Sequence, residues 1–290
     1  MKVSGFTFLR NGQKLGYPFV ESIRSVLPIV DEFIVALGPC EDDTEKLLRE
    51  IGDPKIRILP TQWNERIRSD YSLKGFVYGQ QKSIALFNCT GDWAFYLEGD
   101  EVVHENDLPK IRSAMEKHLD DEEVEALVFD YLHFYGNKNT YAWSPAWYRT
   151  APRILRNTIP AWAPKGLFFP VMADHKRGRY PRAAHAGATI YHYGWVRSET
   201  QMNLKFRAVE RNWSNQPRTV HYEEVDAAVL RPFAGTHPRV MRDWLPAAEG
   251  LFQASPEHRL AQREKKHRVM LKLERWFGFQ FNKKHYRLVR

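Results

Sequence analysis

Along the first half of the chain, short continuous apolar runs alternate with stretches in which apolar residues recur every three or four positions. Residues 3–9, 32–37, 55–59, 93–97 and 126–134 read as strands, being β-branched or aromatic in character and bounded by polar and turn residues. Between them, residues 17–27, 43–51, 79–88 and 107–119 read as helices. The second opens on Asp43 or Thr44 and sets Leu47, Leu48 and Ile51 on one face. The last has Pro109 in its first turn and Leu108, Ile111, Met115 and Leu119 on its apolar face. Strands alternating with helices predict an α/β fold, a mostly parallel sheet flanked by helices on both faces.

Beyond Asn137 the periodicity fades. Residues 138–182 are rich in Pro, Trp, Tyr and Arg and predict loops with short strands near 153–156 and 167–169. A strand over 188–193 and helices over 198–213 and 256–276 follow. No internal repeat or low-complexity segment interrupts the chain. The expected organisation is an α/β core over 1–135, a loop-rich acceptor region over 136–215 completing the same domain, and a helical basic extension over 216–290.

The composition narrows the class. With 290 residues, 43% of them hydrophobic, the chain fills a sizeable core. No run reaches the roughly 20 apolar residues of a spanning helix, and the first residues lack a secretory apolar segment, so a cytoplasmic protein is expected. Cys40 and Cys89 provide neither a disulfide framework nor a zinc site. The net charge of +8 lies entirely in residues 256–290, which hold eleven Lys or Arg against three Glu, together with Trp276, Phe277, Phe279 and Phe281. Such a segment suits peripheral contact with anionic lipid, where each basic residue contributes about 1 kcal/mol near the surface. It equally suits a solvated helix packed on the domain.

The stretch DWAFYLEGDEVV drives a buried strand into Glu98, Gly99, Asp100 and Glu101. Carboxylates at such a place need a cation or a hydrogen-bonding partner. In an open α/β sheet, ligands bind outside the carboxyl ends of the strands. Two more polar clusters fall there: Arg10 and Asn11 after the first strand, and GPCEDDT, with Asp42, Asp43 and Thr44, after the second. Acidic oxygens around a glycine suit Mg²⁺ or Mn²⁺, with the glycine admitting a phosphate-bearing ligand to the backbone.

On these clusters the chain resembles the family 2 glycosyltransferases of GT-A fold, over residues 3–135 and more weakly to about 200. GDWAFYLEGDE stands where that family has G-x-W-x-x-x-L-D-A-D-E, and GPCEDDT keeps the later acids of D-G-S-x-D-G-T without its first aspartate and glycines. Glu98 replaces the first acid of the D-x-D motif. The resemblance implies a nucleotide-sugar donor held by Arg10, Asn11, Asp42, Asp43, Gln81, Lys82 and Glu98. It implies a divalent cation, Mg or Mn, at Asp100, with His192 (His185 being the second candidate) as a further ligand. It implies a catalytic base at Asp174 or Asp130, an arginine pair at Arg153 and Arg156 facing a glycan or glycolipid acceptor, and inversion at the transferred carbon. The acceptor class is expected by analogy to be a cell-envelope glycan such as lipopolysaccharide, reached at the inner face of the membrane with the tail as anchor.

Three rivals stand beside this reading. Nucleotidyl transfer needs a glycine-rich phosphate loop, and RNGQKLG has only two separated glycines. A nucleic-acid or membrane-binding protein explains the tail but gives the acids at the strand ends no purpose, so nucleic acid is not the expected partner. An inactive sugar-nucleotide sensor is the third, and Glu98 is the feature in its favour.

Overall fold

The computed structural model describes residues 1–64, 67, 75–166, 168–210, 219–246 and 250–289. β1 (Val3–Leu9), β2 (Glu32–Leu37), β3 (Ile56–Pro60) and β4 (Trp93–Tyr96) form the parallel half of a large sheet in the order β3-β2-β1-β4. β5 (Glu101–Val103) follows the acidic turn. β6 (Ala126–Tyr135), β7 (Thr140–Ala142) and β8 (Thr150–Arg156) extend the sheet, with β8 inserted antiparallel between β4 and β6. A separate small hairpin is made by β9 (Val171–Met172) and β10 (Gly178–Arg179). β11 (Arg182–Trp195) runs parallel to β6 and antiparallel to β5. β12 (Leu230–Pro232) pairs with β7, and β13 (Arg287–Leu288) pairs with β11.

Helices cover both faces. α1 (Phe19–Val26) places Phe19, Ile23 and Val26 at helical spacing on one face, and Pro28 keeps the helix from extending. With α2 (Thr44–Glu50) and α4 (Leu108–Lys117), through Leu48, Ile111 and Met115, it packs against Phe33, Trp93, Phe95 and Phe129. α3 (Phe76–Phe87) covers the other face, where Ala85 and Leu86 meet Phe6, Ile34 and Tyr96. Each fully buried aromatic here contributes roughly 1.5–3 kcal/mol. α5 (Glu199–Glu210) and α6 (Gln262–Phe277) complete the chain.

The expected strands and helices of the first half form within a few residues of their predicted bounds. Several expectations change further on. The helix expected from 256 begins at Gln262, because Ala261 is extended and its N–H is taken by the Glu264 carboxylate at 2.8 Å. The predicted piece 167–169 forms no strand: Phe168 makes one isolated bridge to Lys165, and Leu167 lies outside the described residues. Residues 211–213 of the predicted helix also lie outside them. The strand expected over 188–193 is 14 residues long, and β5, β7, β9, β10, β12 and β13 are new. No helix among the described residues is long and apolar enough to cross a membrane. The basic tail is tied to the rest of the domain by side chains of α6: Glu274 pairs with buried Arg149 at 2.8 Å, and Arg268 grips Asp226 through two contacts.

Candidate active site

Because β1, β2 and β4 are parallel neighbours, their carboxyl ends open on one edge, and the three polar clusters meet there. The first two are knitted together. Glu41 N–H donates to Asn11 Oδ1 at 2.7 Å, Lys14 N–H to Asp42 Oδ2 at 2.7 Å, and Asp43 N–H to Gln13 Oε1 at 3.1 Å. Arg10 donates through Nε to the Pro39 carbonyl and lies over the Trp63 ring. Asp42 also accepts from Thr44 N–H, an Asx turn that leads the chain into α2, whose N-cap position is Asp43. Trp63, which sequence reasoning missed, packs with Phe8 and Tyr78. Its indole N–H is buried without a partner, and the bare Cα of Gly38 makes room for the ring.

The acidic turn is held from several sides. Ser22 of α1 donates to the Glu98 carbonyl, Ser25 accepts Val103 N–H, and Tyr193 N–H donates to the Asp100 carbonyl at 2.8 Å. A Cβ on Gly99 would come 3.0 Å from Leu9, with Phe19 and Tyr17 behind it, so the glycine also serves close packing on these side chains. Glu101 is fully buried. It takes a bidentate grip from Arg153 at 2.7 and 2.6 Å and a hydrogen bond from Tyr131 at 2.9 Å.

Arg153 and Arg156 do not form a pair. β8 runs antiparallel to β4, which sets Arg156 opposite Trp93 at the far edge of the sheet. There it donates to the carbonyls of His118, Leu119, Asp121 and Val124. Arg153 lies under the acids, its second nitrogen 3.8 Å from Glu98.

Asp100 has basic neighbours on three sides: Lys205 Nζ at 2.8 Å, His192 Nε2 at 3.6 Å and Arg197 Nη2 at 3.8 Å. Burial pushes its carboxyl up, but the charges of Lys205 and Arg197 and the Lys205 hydrogen bond outweigh it and hold Asp100 well below the usual carboxylate range. Glu98 is raised from the usual value by desolvation and by Glu101. Lys82, fully buried against Tyr96 and Phe169 with Nζ 3.0 Å from the Gly166 carbonyl, is lowered by burial and by Arg153. Gln81 turns to the Gln62 carbonyl at 3.0 Å. Lys205 and Arg197 were not anticipated. Arg197 has a 1% exposed side chain, and its Nε and Nη2 have no hydrogen-bond partner.

The orientation of His192 follows from its neighbours. His133 Nε2 lies 2.6 Å from the Tyr148 carbonyl, which only accepts, so the proton of His133 sits on Nε2. Burial holds His133 well below its ordinary pKa, so the ring is neutral and its Nδ1 is a lone pair. His192 Nδ1, at 2.9 Å, must therefore donate. Burial also lowers His192, which leaves Nε2 as a lone pair beside Asp100 Oδ1. Gly194 is required here, since a Cβ would fall 2.5 Å from the His192 ring and 3.0 Å from Asp100.

One carboxylate oxygen and one imidazole nitrogen 3.6 Å apart are a donor pair suited to a divalent cation that completes its shell with ligand phosphate and water. They do not form a protein-only cage, and no cluster of three such ligands occurs among the described residues. The two expected bases lie elsewhere. Asp174 sits exposed in the β9–β10 turn and accepts the N–H groups of Lys176 and Arg177. Asp130 precedes Tyr131 on β6, so strand alternation turns it to the opposite side from the Glu101 contact. There it lines a separate cavity with His185.

No family model matches the chain, and no curated protein does. Among solved structures it is similar to S. aureus TarS residues 1–349 in complex with UDP-GlcNAc, with 15% identity and a TM-score of 0.36 over 54% of this chain and 46% of that one. It is also similar to glucosyl-3-phosphoglycerate synthase from Mycobacterium tuberculosis in complex with Mn²⁺, UDP and phosphoglyceric acid, with 20% identity and a TM-score of 0.31 over 46% of this chain and 43% of that one. The matched segment spans less than half the length of either structure. TM-scores of this size decide nothing about activity, and the α/β architecture stands on the strand order and pairing above.

Proposed function

We propose that the protein is a family 2-like glycosyltransferase that moves a sugar from a nucleoside diphosphate donor, with inversion, to a glycan or lipid-linked acceptor. The observation behind this reading is the locked His192 lone pair beside Asp100, at the sheet edge where the Arg10–Asn11 and Asp42–Asp43 loops also converge. Arg10 and Trp63 offer a surface for the base, and the Asn11 and Asp42–Asp43 loops surround the ribose. Asp100 and His192 would hold a Mg²⁺ or Mn²⁺ ion, which when bound neutralises charge on the departing diphosphate. The unpartnered edge of Arg197 and the ammonium of Lys205 face the same charge. The division into a donor-binding core, an acceptor region and a C-terminal extension belongs to the same proposal.

No expected base stands at the Asp100 edge, since Asp174 is engaged in its turn and Asp130 faces the separate cavity. For the tail, the stripe Lys265, Val269, Lys272 and Trp276 lies on one exposed face of α6, with Trp276 77% exposed, and supports contact with an anionic membrane surface. The reading is tested by a thermal-shift screen of nucleoside diphosphates and their sugars with and without Mn²⁺. A uridine or related diphosphate should raise the melting temperature, and Asp100→Ala should remove the metal-dependent part. Absence of any nucleotide shift would sink the assignment.

A further inference from the structure

Three arginines of this fold can be compared by one edge of the guanidinium, the edge formed by Nε and Nη2. In Arg153 that edge grips the two oxygens of Glu101. In Arg197 it is unpartnered beside Asp100. Among the described residues that edge of Arg149 is also unpartnered, on a side chain 2% exposed. Its Nη1 is engaged by Glu274 at 2.8 Å. Buried donors without partners are costly to keep, which favours a ligand that supplies acceptors.

Arg149 lines a cavity of about 510 Å³ between β6, β8, β11 and the segment after α6. The cavity is built, not incidental. Gly278, with φ of 70°, stops α6 and turns the chain back, and Phe281 N–H donates to the other Glu274 oxygen at 2.6 Å. One glutamate thus positions both Arg149 and the returning wall. Tyr286 is tied to Thr150 at 2.8 Å, and β13 fixes the end of the wall to β11. Trp143 is stacked between Arg149 and Arg231 at 4.4 and 4.8 Å. Phe279 and Tyr286 add apolar surface, and Lys284 adds a second cation. Asp130, His185 and Gln280 supply acceptors and donors for hydroxyl groups.

A nearly buried arginine edge, a second cation, aromatic faces and scattered polar groups form a complementary set. We propose that this cavity binds an anionic saccharide, a sugar ring bearing a carboxylate or a phosphate that Arg149 grips bidentately. Calling that saccharide the acceptor rests on the transferase reading; the binding does not.

The test is calorimetric titration of the full chain, without nucleotide, with digalacturonate, glucose 6-phosphate, maltose and inorganic phosphate. Digalacturonate or glucose 6-phosphate should bind at least tenfold more tightly than maltose and than inorganic phosphate, and the tighter of the two identifies the anion. Phe279→Ala and Lys284→Gln, both at the exposed wall, should each weaken that binding at least fivefold while leaving the nucleotide-induced thermal shift unchanged. Arg149→Lys keeps the charge beside Glu274 and should abolish the preference for the anion. Equal binding of maltose, equal binding of inorganic phosphate, unaltered binding in the two wall variants, or no binding at all overturns the proposal. The nucleotide thermal shift, read separately, reports on the transferase reading.

Discussion

His133 and His192 face each other through their Nδ1 atoms at 2.9 Å, an arrangement in which one ring carries its proton there and the other does not. The Tyr148 carbonyl decides which. A main-chain oxygen on β8's approach thereby sets the lone pair next to Asp100, and His133 acts as a positioning residue. Replacing it with phenylalanine removes the acceptor while keeping most of the ring packing against Tyr131 and Tyr148. Partners of this kind typically change metal affinity by about 10–100-fold. His133→Phe should therefore weaken Mn²⁺ binding in the presence of UDP by about that factor, measured by titration followed with electron paramagnetic resonance. An unchanged Mn²⁺ affinity would show that the tautomer is immaterial.

Glu101 and Arg153 concern stability. Both are buried, and Arg153→Met leaves the Glu101 carboxylate with the Tyr131 hydroxyl and the Glu98 N–H but without a counter-charge. Breaking one partner of such a pair costs about 3–5 kcal/mol. Chemical denaturation of Arg153→Met should show a loss of that size, whereas Arg153→Met combined with Glu101→Met should recover part of it. A loss below about 1 kcal/mol in the single variant would contradict the pairing.

The strands of the first half were legible because their apolar runs are unbroken, and alternation along 93–97 sends Trp93, Phe95 and Leu97 to one core and Ala94 and Tyr96 to the other. The acids at 98–101 were legible as an anomaly at a strand end. Their division of labour was not: Glu101 looks like its neighbours in the sequence, and only the register of β8 brings Arg153 beneath it. Lys205 and Arg197 were out of reach because they arrive roughly a hundred residues later, through the pairing of β11 with β5. Asp42 and Thr44 carry two meanings at once, since the pattern of a nucleotide loop is also that of an Asx turn leading into a helix. The same long-range register favours His192 over His185: His192 pairs with Glu101, while His185 pairs with Val128 and is exposed.

Acid sensitivity should be traceable to Glu125. Its buried carboxylate receives two contacts from Arg179, at 2.6 and 2.5 Å, and Arg182 N–H at 2.9 Å, joining β6 to β10 and β11. Burial opposes ionisation, but the arginine contacts prevail and the pKa is lowered. A carboxyl whose folded pKa lies below its unfolded value of about 4.3 contributes stability that is complete above that value and is lost as pH falls through the folded one. Glu125→Gln should thus lower the melting temperature at pH 7, and the gap from the parent protein should shrink steadily below about pH 4. A gap independent of pH would rule out ionisation as its source.

Arg197 offers the sharpest separation between nucleotide binding in general and recognition of a diphosphate. Its guanidinium is stacked 5.0 Å from the Tyr17 ring centre, and its Nη1 is engaged by the Leu15 carbonyl, so the side chain cannot swing to solvent to satisfy its remaining donors. The free Nε and Nη2 stand beside Asp100, where a fixed pair of N–H groups matches two oxygens of a phosphate. Lysine at this position keeps the charge and loses the paired donors. Arg197→Lys should therefore weaken UDP at least tenfold while uridine, which has no phosphate, binds as before, both measured by calorimetry in the presence of Mn²⁺. Equal losses for UDP and uridine would mean that the substitution only disturbs the stacking on Tyr17, and the arginine would then have no part in holding the leaving group.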